Sequence, residues 1–146
     1  MKKEVIVTID HLTKDGVGVA KIDKKPLYVK NCFAKEKVRV LIDYEGKRNL
    51  YGHIQEVIEK NKNRVQPLCS VYEQCGGCHL SFMDYQSQLQ WKQEIVKKIY
   101  EEAGLNQIIV HPCIGMDYPY AYRNKVQTPV QSKKKKIIAG FYKENT

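Results

Sequence analysis

Cys69, Cys75 and Cys78 fall in the spacing C-x5-C-G-G-C, and three clustered thiols are the start of a soft metal site. Glycines at 76 and 77 remove side-chain bulk and permit positive φ. The backbone can therefore turn both flanking sulfurs, and several N–H groups, toward one point. Such a set suits an iron–sulfur cluster or a zinc ion, each normally held by four protein ligands. A fourth is not obvious. His79 directly follows Cys78, which makes the two awkward partners on one ion, and His53 and His111 have no sequence tie to the loop. The C-G-G-C run also lacks the βαβ setting of a thioredoxin-like redox pair. The residues favour a cluster over zinc and leave both open. Cys32 and Cys113 lie apart from the set and are read as ordinary thiols.

No nucleophile–base set, phosphate loop or paired-carboxylate site accompanies these cysteines. Gly16-Val17-Gly18 lacks a third glycine and opens no helix, so it reads as a bend in a strand rather than a dinucleotide fingerprint.

The elements that must position the loop can be read on either side of it. Residues 4–10, 16–22, 27–29, 37–44 and 51–58 are short, β-branched or alternating runs. Turn signals separate them at 14–16, 23–26, 31 and 45–46. Five strands in so short a stretch predict a small closed barrel of the OB type, because closure removes exposed edges. Residues 61–64 read as a polar hinge and 67–79 as the cysteine loop. A helix is predicted over 83–103, where Tyr85, Leu89, the stem of Lys92, Ile95 or Val96, Ile99 and Ala103 recur at helical intervals. Asp84 or Ser81 can cap its start and Gly104 can end it. Short strands are expected at 107–110 and 126–130, an aromatic, basic loop at 117–125, and a charged turn at 133–136 before a strand at 137–142.

The whole chain has 146 residues, room for one ordinary domain or two small ones. It carries 25 Lys+Arg against 16 Asp+Glu, a net charge of +9, and both halves share the excess. A basic balance favours a polyanionic partner, most simply a nucleic acid. Ten tyrosines add flat faces suited to unpaired bases, although most are expected to be structural. Mean hydropathy is −0.52. No apolar run reaches the length of a membrane span and the first residues do not form a signal peptide. With an odd cysteine count, this places the chain in a reducing cytoplasm.

The string Arg64-Val65-Gln66-Pro67-Leu68-Cys69, followed by Cys75-Gly76-Gly77-Cys78 and by Tyr85-Gln86-Ser87-Gln88-Leu89 with Lys92, resembles the S-adenosylmethionine-dependent RNA uracil-5-methyltransferases. The closest group is their bacterial 23S rRNA branch. Tyr122-Arg123-Asn124-Lys125-Val126-Gln127 and Gly140-Phe141-Tyr142 are similar to the family's next landmarks, in order. The resemblance implies an α+β chain in three parts: a five-stranded, OB-like TRAM barrel over 1–60 that grips RNA, an iron–sulfur cysteine loop and helix over 61–104, and the incomplete start of a β-rich central domain over 105–146. It implies a [4Fe-4S] cluster on Cys69, Cys75 and Cys78, architectural rather than redox-active, with a fourth cysteine beyond Thr146. With three ligands the cluster would be incomplete or absent in this chain alone. In the complete enzyme a cysteine adds to C6 of an extruded uracil, C5 takes the methyl group, and a base removes the C5 proton. The S-adenosylmethionine domain and those catalytic groups are expected outside this chain, which is therefore expected to be an inactive N-terminal portion. Arg123 and Lys125 are the candidate RNA contacts. One departure stands out: Lys35-Glu36 occupies the place where the family usually has Gly-Glu. A stand-alone RNA-binding module and a zinc-binding structural protein are the alternatives.

Overall fold

The structure, a computed structural model, describes residues 3–133 and 135–143. Its first half is one six-stranded sheet built from β1 (Glu4–Thr8), β2 (His11–Leu12), β3 (Gly18–Ile22), β4 (Lys25–Val29), β5 (Lys37–Glu45) and β6 (Leu50–Glu59). The sheet order is β1-β5-β6-β4-β3-β2. All neighbours are antiparallel except β4 and β6, which pair in parallel from Leu27↔Leu50 to Val29↔Gly52. Its two edge strands are consecutive in sequence. The first predicted strand divides at Ile9 and Asp10: Ile9 N–H donates to Glu36 O at 2.9 Å and Asp10 N–H to Val19 O at 2.8 Å. One extended segment thus pairs with β5 at its start and β3 at its end, and the sheet curls round to meet itself. Three register shifts along β5 and β6 supply the bending such a curl needs.

Alternation decides which side chains fill the curl. Val38, Val40 and Ile42 of β5 point in with Leu27 and Val29 of β4, Ala20, Ile9 and Leu50. Cys32 belongs to the same core, where its thiol donates to Val29 O at 3.2 Å. A Cβ on Gly18 would stand 2.2 Å from the Cys32 sulfur. That close approach explains the second glycine of Gly16-Val17-Gly18 as a packing requirement. The turn expected over 23–26 is tighter than that span. Asp23 and Lys24 take positive φ, and Lys25 and Pro26 already lie in β4. Pro26 precedes the first β4–β6 pair, so its missing N–H takes no bond from that ladder.

Helix α1 spans Tyr85–Glu102, two residues later at its start than the periodicity suggests. Of the two candidate caps, Asp84 serves: its carboxylate accepts the Ser87 N–H at 2.6 Å. Gly104 follows the last turn at φ +75°. No residue of α1 is fully buried. Tyr85 and Gln93 hold a segment that runs back along the helix, through Met116 N–H to Tyr85 Oη at 2.9 Å and Gln93 Nε2 to Val110 O at 3.0 Å. No strand forms at 107–110. Lys92, Ile99 and Ala103 of the expected packed face lie exposed.

The last pair of strands, β7 (Val130–Lys133) and β8 (Lys136–Ala139), forms an antiparallel hairpin. It sits a few residues later than the predicted strand at 126–130 and earlier than that at 137–142, and the last pair of its ladder is Lys133↔Lys136. Lys135 there has φ +62°. Among the described residues no helix is long and apolar enough to cross a membrane.

Candidate metal-binding loop

Positioning of the cysteine loop begins with a buried carboxylate. Glu36 is 1% exposed and is the only buried charged side chain among the described residues. It accepts Phe33 N–H at 2.9 Å, Asn61 N–H at 3.0 Å, and both Nε and a terminal nitrogen of Arg64, at 2.7 and 2.6 Å. Arg64 also donates to Asn31 O at 2.7 Å and lies 4.9 Å from the centre of the Phe82 ring. Burial alone would raise the Glu36 carboxyl. The Arg64 guanidinium and the two N–H groups outweigh it and hold the group below the usual carboxylate range. Residues 61–64, polar enough to suggest a hinge, are therefore a fixed joint.

A second small core grows around that joint. Phe33, Tyr72, Phe82 and Met83 pack together, with Leu12 and Leu80 against them. The rings of Phe33 and Phe82 meet edge to face at 5.3 Å. Tyr72 brings the cysteine loop into this core, and its hydroxyl donates to Asn31 Oδ1 at 2.8 Å. Turns on either side shape the loop: Tyr72 N–H donates to Cys69 O at 3.2 Å, and Cys75 N–H to Val71 O at 2.9 Å.

The three thiols are not equivalent in this frame. Cys75 is half-buried while Cys69 and Cys78 are exposed. Tyr72, Cys75, Cys78 and His79 line a cavity of about 210 Å³ between the loop and the sheet, whose other wall includes Gly16 and Asn31. Cys69 does not line it. Among the described residues no three His, Cys, Asp or Glu side chains converge closely enough to hold a metal ion. The fit to a cluster is thus partial: the donors are soft and of the right type, two face one space, and the third lies apart. Cys75 also forms an isolated antiparallel bridge with Lys143, so the chain returns to this loop at its far end.

Cys32 and Cys113 stay outside the set, as their positions suggested. Burial, with the Glu36 charge adding to it, pushes the Cys32 thiol up to about 12, so it remains protonated in the core. Cys113 is exposed on the segment beside α1. Arg123 and Lys125 are exposed on the aromatic loop, and neither forms an ion pair with another described residue. Tyr118 and Tyr120 pack edge to face beside them at 5.8 Å.

Sequence reasoning missed the Glu36–Arg64 clamp and a cross-strand row of tyrosines, Tyr28, Tyr51 and Tyr44. Both depend on strand order. A signal for the first did exist, since an acidic residue in a β-rich run and a basic one before the cysteines were both in view.

No family model matches the chain. Curated relatives do. The chain is 40% identical over 147 residues to a protein of Halalkalibacterium halodurans named as an uncharacterized RNA methyltransferase, covering 99% of this chain and 32% of that protein. It is 37% identical over 147 residues to one of the same name from Bacillus cereus, with the same coverage. A third, from Oceanobacillus iheyensis, is 40% identical over 141 residues, 96% of this chain and 30% of that protein. The chain thus spans about a third of the length of the curated relatives it matches, and it is similar to RNA methyltransferases along almost all of its own length.

Proposed function

We propose that this chain is the N-terminal, RNA-gripping and cluster-bearing portion of an S-adenosylmethionine-dependent methyltransferase that modifies C5 of a uracil in 23S rRNA. The observation that carries the reading is the match to proteins named RNA methyltransferases, at 36–40% identity over nearly the full chain and only about a third of theirs. The curled sheet supports a TRAM-like, OB-type barrel: its strand order, with a single parallel pair and a shared first strand, is what closure of five strands requires. In this reading Cys69, Cys75 and Cys78 hold a [4Fe-4S] cluster, which would supply a rigid cross-link rather than electrons. Cys75 and Cys78 already face a common cavity, and Cys69 would have to turn toward it. The bridge from Cys75 to Lys143 supports a fourth thiolate arriving from the chain that follows. Arg123 and Lys125 contribute phosphate contacts, and the binding of S-adenosylmethionine and the covalent chemistry belong to the larger enzyme.

The test is transfer of labelled methyl from S-adenosylmethionine to 23S rRNA. The complete enzyme is expected to label uridine at C5 and the 146-residue chain to label nothing. Turnover by the chain alone, or label on another base, would overturn the assignment. Metal analysis after anaerobic purification separates iron and sulfide, the expected result, from one equivalent of zinc, which would overturn the cluster.

A further inference from the structure

The outer face of the sheet carries a feature that its own packing does not use. Tyr28 on β4 stands beside Tyr51 on β6, and Tyr51 stands beside Tyr44 on β5, so three neighbouring strands place their rings in one row. Tyr28 and Tyr51 are stacked, with centroids 5.3 Å apart and planes 23° apart. Tyr44 and Tyr51 lie 6.2 Å apart at 43°. The sheet's core is complete without them. Tyr51 remains 45% exposed and Tyr44 62% exposed.

The charges at the end of the row that have no ion-pair partner among the described residues are positive. Beyond Tyr44 the chain reverses at Gly46, whose N–H donates to Asn49 O at 2.8 Å, and the exposed tip carries Lys47 and Arg48. Neither forms an ion pair with another described residue. The acidic groups nearby are already engaged: Glu45 with Lys25 at 3.4 Å, and Asp43 with His53 at 2.6 Å. His53 in turn meets Gln55 at 2.7 Å, continuing the polar side of the same face.

We infer that this row is a seat for unpaired bases of single-stranded RNA, with Tyr44 and Tyr51 stacking on bases and Lys47 and Arg48 taking the adjoining phosphates. A duplex keeps its base faces covered, so exposed rings in a row select a strand whose bases are free. Two unpaired cations at one end of the row complement a phosphate backbone and suit no apolar partner. The inference rests on the reading of RNA as the partner, and it adds a stacking contact on the sheet to the phosphate contacts of Arg123 and Lys125.

The experiment is fluorescence anisotropy of a labelled single-stranded oligouridylate with the 146-residue chain at several salt concentrations. Tyr44→Leu with Tyr51→Leu is expected to weaken binding about tenfold or more, while Tyr44→Phe with Tyr51→Phe retains it. Lys47→Glu with Arg48→Glu, on an exposed turn, is expected to weaken binding and flatten its salt dependence. The tip variant decides the matter if the leucine variant does not fold. Binding by the unsubstituted chain that survives both the leucine and the tip substitutions would overturn the row and leave the RNA reading intact. Absence of any RNA binding by the unsubstituted chain would remove that reading, and the row with it. Loss of self-association in the leucine variant, with RNA affinity unchanged, would assign the row to a protein contact instead.

Discussion

Glu36 shows how much can hang on one side chain. It joins a turn of the sheet to Asn61 and to Arg64, just before the cysteine loop, and it does so from a site almost closed to water. Replacing it by glutamine leaves a guanidinium facing the same pocket uncompensated. Glu36→Gln should cost roughly 3 kcal/mol in urea denaturation at neutral pH, the low end for a broken buried pair because Arg64 keeps some solvent contact. The pH dependence has a definite sign. The folded carboxyl titrates below the unfolded value of about 4.3, so its contribution is full above that pH and is lost as pH falls through the folded value. The gap between parent and Glu36→Gln should therefore narrow in acid; a gap that holds constant to pH 3 would contradict the assignment. Its neighbour Lys35 takes φ +68°, where the resembled family usually has glycine. Lys35→Gly should raise stability by about 0.5–1 kcal/mol, the relief of a left-handed backbone less the entropy glycine adds to the unfolded chain. At this scale the sequence was only half legible. Lys35-Glu36 stood out as a departure, but nothing local could show that Glu36 meets a residue 28 positions later.

Elements were easier to foresee than their partners. Period-two alternation marked the five strands because it reflects which face each side chain must bury. It could not mark the break at Ile9 and Asp10, where the backbone changes partner from Glu36 to Val19. The helix was visible from its spacing, yet its inward face was misjudged at Lys92, Ile99 and Ala103, because the cover is a stretch of irregular chain that reaches Tyr85 and Leu89. A Cβ on Gly115 there would sit 2.8 Å from Leu89 Cδ1. The start of α1 rests on a single cap, since its first turn holds no acidic residue. Asp84→Ala should lower stability by about 1 kcal/mol and reduce the helical signal in circular dichroism. An unchanged melting profile would show that packing through Met83 and Phe82 holds that end by itself.

Across the whole molecule the two cores meet. Leu12 packs against both, and Glu36 and Asn31 fasten the sheet to the loop that carries Cys75. Residues 4–83 should therefore unfold together although the sequence reads as a barrel followed by a separate loop. Trp91, the only tryptophan, lies near Gly16 of the sheet, where a Cβ would stand 3.8 Å from its ring. Urea transitions followed by Trp91 fluorescence and by the β signal in circular dichroism should coincide. Two separated midpoints would mean that α1 leaves the sheet in a step of its own. The shared first strand has another consequence, in the order of events during synthesis. A ribosome delivers β1 first, but its partner β5 comes some thirty residues later and β6 must then slot between β5 and β4. Only the β2–β3–β4 meander can settle early. Until residue 59 has emerged, the nascent chain holds an open, sticky ribbon rather than a ring, and its protection depends on the speed of translation more than on the strength of any finished contact.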